Sequence, residues 1–193
     1  MAATAKFDRQ EAIQKATELF WTKGFHATSM RNIQQAIDMR PGSIYACFGS
    51  KEGLFSETLQ HYANASKERL LSTVAAASSP LQGLQQFIQE AVVSCRGGAP
   101  SSMCMLVKTV SELTDENADL LAEAKLLLRQ MEAAFAAILS EAQVQGELRQ
   151  DLDPDQVARY LQMQMMGLRA YRHVNEDLDQ IDRLIEDIFS NLR

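Results

Sequence analysis

Cysteine, proline and tryptophan are all sparse in this chain of 193 residues, which has three, four and one of them respectively. The cysteines, Cys47, Cys95 and Cys104, form no CxxC pair. An odd, scattered set excludes a disulfide framework and a structural zinc site. His26, His61 and His173 stand far apart in different surroundings, so neither a metal site nor a cofactor is expected. No run of about eighteen apolar residues is present, which excludes a membrane-spanning helix. The opening residues MAATAKFDRQ lack the apolar core of a secretory signal, and a cytoplasmic location is expected. No segment alternates at period two, and no β-rich runs are bounded by hairpin turns, so a sheet is not expected. With 46% hydrophobic and 23% charged residues, what remains is an ordinary helical composition with ample material for a core.

Positive charge is also short, and the net charge of −6 argues against a nucleic-acid binder until its distribution is read. Residues 1–55 hold seven Lys/Arg and five Asp/Glu, a balance of +2; the rest hold twelve and twenty, a balance of −8. A mildly basic head on an acidic body is the pattern of an anion-facing segment joined to something else.

Helical periodicity runs throughout and predicts about nine helices. Asp8 and Glu11 form a capping-box pattern ahead of Ile13, Ala16 and Phe20, and Gly24 closes that helix. Two very short helices follow. Thr28 or Ser29 caps the first, which turns Met30, Ile33 and Ala36 inward. Ile37, Asp38 and Met39 read as the turn, with Asp38 placed where a left-handed residue helps. Pro41 suits the first position of the second short helix, whose inward residues are Ile44 and Phe48. Gly49 stops it, and Ser50 caps a long helix running toward Leu70 and Val74. Breaks at AAASSPL (75–81) and RGGAP (96–100) bound the next helix. Further helices are expected over about 102–113, from TDEN (114–117) toward Gly146, from Asp153-Pro154, and from Asn175 to the end.

Two short helices joined by a tight turn in a basic segment read as a helix-turn-helix, whose second helix enters the major groove. Gly42 and Ser43 keep the exposed side of that helix low. Tyr45 offers a hydroxyl on a rigid arm, and Lys51 lies where charge and helix-start N–H groups hold a phosphate. Arg31 and Arg40 are the long donors able to reach guanine or the backbone. Thr28, Ser29 and Pro41, at the starts of the two short helices, complete the DNA-facing set.

The stretches AIQKATELFWTKGFHATSMRNI and MRPGSIYACFGSKEGLF resemble the TetR family of transcriptional repressors over about residues 8–62. Gly24-Phe25, Thr28, Ile33, Gly42-Ser43, Ile44-Tyr45, Phe48 and Ser50-Lys51 carry the likeness. Asp38 departs from it, because the family commonly has glycine in the turn. CMLVKTVSEL (104–113) looks like a stretch of one subgroup. The resemblance implies a homodimer on a palindromic double-stranded operator and a small-molecule effector bound by the C-terminal helices. It divides the chain into a DNA-binding domain, 1–50, and a helical ligand-binding and dimerisation domain, 51–193. The expected activity is repression relieved by a small molecule or a thiol-reactive signal. The rivals are a DNA-bound assembly protein with the same head and a redox enzyme built on Cys104; no His-Asp partner pattern supports an enzyme.

In the body, residues 154–173 and 177–192 carry more than one apolar stripe. Val157, Leu161, Met165, Gly167, Leu168, Ile181, Leu184, Ile185 and Ile188 are either a central core or, as the resemblance implies, a dimer-forming bundle. Met103, Met105, Met163, Met165 and Met166 either line an adaptable pocket or fill core gaps. Cys104, near a helix start with Lys108 one turn away, is either a reactive sensor thiol or a small buried hydrophobe. Trp21 is expected to pack between head and body.

Overall fold

The computed structural model describes residues 8–93, 101–175 and 177–193. Among these lie nine α-helices, one 3-10 turn and no strand. Helix α1 (Arg9–Lys23) starts at Asp8, whose carboxylate accepts from the N–H groups of Gln10 and Glu11. Glu11 pairs with Lys15 at 2.7 Å. At the other end Gly24 adopts φ 85°, a conformation that favours glycine, and its N–H returns to the Phe20 carbonyl.

Helix α2 (Met30–Ile37) is capped by Ser29 in a reciprocal capping box with Asn32. Ile37 is the buried last residue of α2 and not part of the turn. Asp38 alone supplies the left-handed corner, at φ 51° and ψ 46°. Helix α3 (Pro41–Phe48) begins on proline and ends at Gly49. Helix α4 (Lys51–Ala76), capped by Ser50, runs 26 residues, about 39 Å at 1.5 Å per residue.

The body follows with α5 (Pro80–Val93), α6 (Met105–Glu112), α7 (Ala118–Val144), α8 (Pro154–Val174) and α9 (Leu178–Ser190). Gly83 lets α5 cross α4 closely, since a Cβ there would meet the Val74 Cα at 2.6 Å. Helix α6 begins three residues later than its apolar pattern predicts, with Cys104 at its N-cap. The TDEN segment forms the 3-10 turn Asp115–Asn117 before α7. Asn175 is the C-cap of α8, not the cap of the last helix; Asp177 caps α9 through the Gln180 N–H. The expected RGGAP break and Cys95 lie outside the described residues.

Buried apolar residues gather into two clusters. One holds Ala12, Phe20, Ile33, Ile44, Leu54, Phe55 and Leu59 together with Met105, Leu106, Leu120 and Leu127. The other holds Leu70, Leu84, Phe87, Phe135, Leu139, Leu161, Ile185 and Phe189. Helices α4 and α7 contribute to both clusters. Among the described residues no helix is long and apolar enough to cross a membrane.

Candidate nucleic-acid interface and its tether to the body

Helix α3 is anchored by Ile44, fully buried, and Phe48. Its remaining face is open: Arg40, Pro41, Gly42 and Ser43 are exposed, and Tyr45 is 50% exposed. A Cβ at Gly42 would meet nothing within 4 Å. No packing inside the protein therefore requires glycine there, although glycine weakens a helix relative to alanine. A small residue at that point suits the approach of something from outside. Arg31 is exposed on α2, and Ser29 is exposed but spends its hydroxyl on Asn32.

Two expected contacts differ from expectation. Thr28 is fully buried and donates its hydroxyl to the Gly24 carbonyl at 2.6 Å, while its N–H goes to Phe25. It stiffens the corner before α2 and is withdrawn from the DNA-facing set. Lys51 is half-buried, its ammonium 4.2 Å from the centre of the Phe25 ring. Burial holds it below the ordinary lysine range, against the pull of the Glu52 and Glu112 carboxylates.

The head packs on α4, where Phe20 meets Phe55 and Arg9 pairs with Glu57, and polar contacts from α6 and the residues just before it reach the α1 end. Trp21 donates its indole N–H to the Met103 carbonyl at 2.6 Å and meets Tyr62 edge-on at 5.0 Å, as its expected place between head and body requires. The Lys108 ammonium donates to the carbonyls of Trp21 and Thr22 at 2.7 and 3.1 Å, capping the C-terminus of α1. Glu112, which no sequence signal singled out, accepts from the N–H groups of Phe25 and His26 at 3.0 and 2.7 Å. Lys108 is thus a head-to-body strut, and the expected pairing with the Cys104 thiol is not formed.

Cys104 instead lines a cavity together with Tyr62 and Arg169. Burial pushes the Tyr62 phenol above its ordinary range; Cys104 adds to the rise and Arg169 opposes it. The cavity, of about 40 Å³, lies between α4, α5, α6, α7 and α8. Of the methionines expected at a pocket, Met165 and Met166 line it. Met105 is buried in the head-side cluster, Met163 is 63% exposed, and Met103 lies near Trp21 and outside the lining. Met131, on α7, lines the cavity as well.

The expected dimer set also divides. Val157, Leu161, Met165, Ile181 and Ile185 are buried in the core of their own protomer, where one stripe of each helix faces inward. Gly167, Leu184 and Ile188 instead line a surface groove of about 330 Å³ with Tyr160 and Tyr171, while Leu168 borders that groove from a buried place in the core. Among the described residues no group of three His, Cys, Asp or Glu side chains is placed to hold a metal.

A two-helix module with an open second helix, seated on a larger helical body, is a helix-turn-helix transcription regulator in class. Two family patterns match in sequence: "Bacterial regulatory proteins, tetR family" over residues 12–58, and "Tetracyclin repressor-like, C-terminal domain" over residues 80–188. The chain belongs to the TetR family. It is 25% identical to the uncharacterized HTH-type transcriptional regulator YezE of Bacillus subtilis, over 94% of each chain. It is 24% identical to the HTH-type transcriptional repressor DhaR of Mycobacterium sp. (strain GP1), over 95% of this chain and 91% of that one. The fold is shared with a cysteine mutant of the TetR family regulator CifR complexed with 26bp double-strand operator DNA, at a TM-score of 0.86, 23% identity and full coverage of both chains. These relatives are regulators, so an enzyme built on Cys104 is set aside.

Proposed function

We propose that the protein is a homodimeric repressor that releases its operator when a small molecule or a thiol-reactive signal acts on the body near Cys104. Residues 1–50 hold the DNA and residues 51–193 hold the signal and the partner. The observation that carries the reading is the α6 tether. Cys104 caps the N-terminus of α6, while Met103, Lys108 and Glu112 bind the α1 end and the α1–α2 corner. A signal that displaces the start of α6 therefore pulls on the head itself. In a dimer the two α3 helices must stand about 34–36 Å apart to reach successive major grooves. An effector that binds better at another spacing withdraws the protein from DNA in proportion to its differential affinity. The groove of Tyr160, Gly167, Leu184 and Ile188 supports a second copy as the partner. DhaR is named a repressor, and CifR was solved with operator DNA as a mutant in its cysteines. Both facts support the reading here.

The test begins with selection of DNA from a random pool, which should return a two-fold symmetric site. Because Cys47 is exposed on α3, the comparison uses a Cys47→Ser background, in which N-ethylmaleimide should lower operator affinity and the further change Cys104→Ser should abolish that response. Equal responses from the two proteins, or mass spectrometry showing Cys104 unlabelled, would remove the thiol arm and leave a reversible effector in the cavity.

A further inference from the structure

Helix α3 presents the reading face, yet it is anchored at few points. Its N-cap, Arg40, makes no side-chain hydrogen bond to the helix, and of its eight residues Ile44 and Phe48 alone are buried. The angle of α3 is therefore set by those two side chains and by its C-terminal end. That end is held closely. The Ser50 N–H donates to the Phe48 carbonyl at 2.8 Å. The first turn of α4 presses on the same carbonyl, since a Cβ on Gly53 would come within 2.2 Å of it.

Arg9 completes this junction. It is the first residue of α1, where a cation runs against the helix dipole. Its guanidinium lies over the Phe48 ring, 5.1 Å from the centre, and its Nη2 donates to Glu57 Oε1 at 2.7 Å. Glu57 stands four residues after Gly53, so the carboxylate and the glycine share one face of α4. One side chain thus joins the start of α1, the last residue of α3 and the second turn of α4. Arginine suits this place, because its flat guanidinium stacks on a ring while its N–H groups bind elsewhere. The Arg9 and Glu57 side chains are 49% and 28% exposed, so the pair adds little to overall stability. Its leverage is geometric. Base edges are read by groups placed to within hydrogen-bond distance, whereas attraction to phosphates carries no sequence information.

We propose that Arg9 is a positioning residue for DNA reading: held by Glu57, it covers Phe48 and fixes the angle at which α3 meets the major groove. The proposal rests on the reading of the head as the DNA-holding part, and it requires neither an effector nor a signal at Cys104.

Anisotropy titrations of the full-length protein with the duplex selected from the random pool, and with an unrelated duplex, test it. Glu57→Gln is the deciding variant. It removes negative charge from the head, which by electrostatics alone strengthens DNA binding. Loss of the clamp predicts the opposite: about tenfold weaker binding to the selected duplex, the scale of one mismatched base pair, with binding to the unrelated duplex no weaker. Arg9→Met should lose as much on the selected duplex, and the double variant should lose no more than Arg9→Met alone. Melting temperatures should stay at the wild-type value. Unchanged or tighter binding of the selected duplex by Glu57→Gln overturns the assignment, and so does a loss that comes with a lowered melting temperature. An Arg9→Met variant that weakens both duplexes alike, and lowers the slope of log affinity against log salt by about one unit, makes Arg9 a phosphate contact and overturns it too. A wild type that selects no duplex refutes the reading of the head together with the proposal. A wild type that does select one, with Glu57→Gln binding it undiminished, refutes the proposal alone.

Discussion

Replacing Glu112 by glutamine should loosen the head without touching any group that faces DNA. The carboxylate accepts two backbone N–H groups from the α1–α2 corner, at 3.0 Å from Phe25 and 2.7 Å from His26. It also lies against Gly24, where a Cβ would come within 2.5 Å of Glu112 Oε2. Glutamine keeps the shape and one acceptor oxygen. It turns the other acceptor into an NH2 group facing an N–H, so a charge-assisted bond becomes a donor–donor contact. Hydrogen bonds to charged groups contribute ~1.5–3 kcal/mol. Glu112 is partly exposed, so solvent screening places the loss near the lower half, about 2 kcal/mol. For a chain of this size that lowers the melting temperature by roughly 4–8 °C. Hydrogen exchange should show the Phe25 and His26 amides losing protection before the amides of α7 do. Glu112→Asp, which retains the charge on a shorter arm, should lie between the two. If Glu112→Gln melts as the wild type does and both amides keep their protection, the corner is held by its own turn geometry and the tether carries no energy.

Other outcomes follow from the same contacts. Gly42→Ala should stabilise the protein by about 0.5–1 kcal/mol in urea unfolding, since its Cβ enters open space, while weakening operator binding in anisotropy titrations. Gly167→Leu should likewise cost the single protomer nothing, because a Cβ at Gly167 meets no atom within 4 Å, yet sedimentation should find it monomeric with operator affinity lost; an intact dimer would place the interface elsewhere. Lys51→Ala should reduce the slope of log affinity against log salt by about one unit at every sequence, and Tyr45→Phe should weaken all sequences alike; unchanged affinity in both would remove them from the phosphate contacts.

Local chemistry made the head legible in the sequence. Proline at the first position of α3, the Ser29 and Ser50 caps and the left-handed Asp38 each answer a backbone requirement that one residue type expresses. The apolar stripes of α8 and α9 were equally visible, but periodicity cannot say which stripe meets the chain's own core and which meets a partner. Met165 and Gly167, two residues apart, go to opposite sides. Long-range polar contacts were invisible for a different reason. Lys108 reads as a cation beside the Cys104 thiol and Glu112 as an ordinary surface charge; their partners are main-chain groups 86 or 87 residues away, which carry no sequence signature. Arg169 and Gln162 are polar residues buried on α8, and their main-chain partners, Ser102 and Leu128, are equally remote in sequence.

The sharing of α4 and α7 between the two apolar clusters bears on how such regulators are taken apart and recombined. A fragment cut at residue 50 would keep Phe20, Ile33 and Ile44 but lose Leu54, Phe55, Leu59, Met105 and Leu120, which cover them. Such a fragment would unfold, and a chimera joined there would place a foreign surface against half a core. A workable exchange of operator specificity keeps α4, α6 and the first turns of α7 with the recipient's own α1 and transplants only the exposed positions of α2 and α3. For the same reason heat or urea should melt the whole chain in one transition, with no stage at which a folded body carries an unfolded reading head.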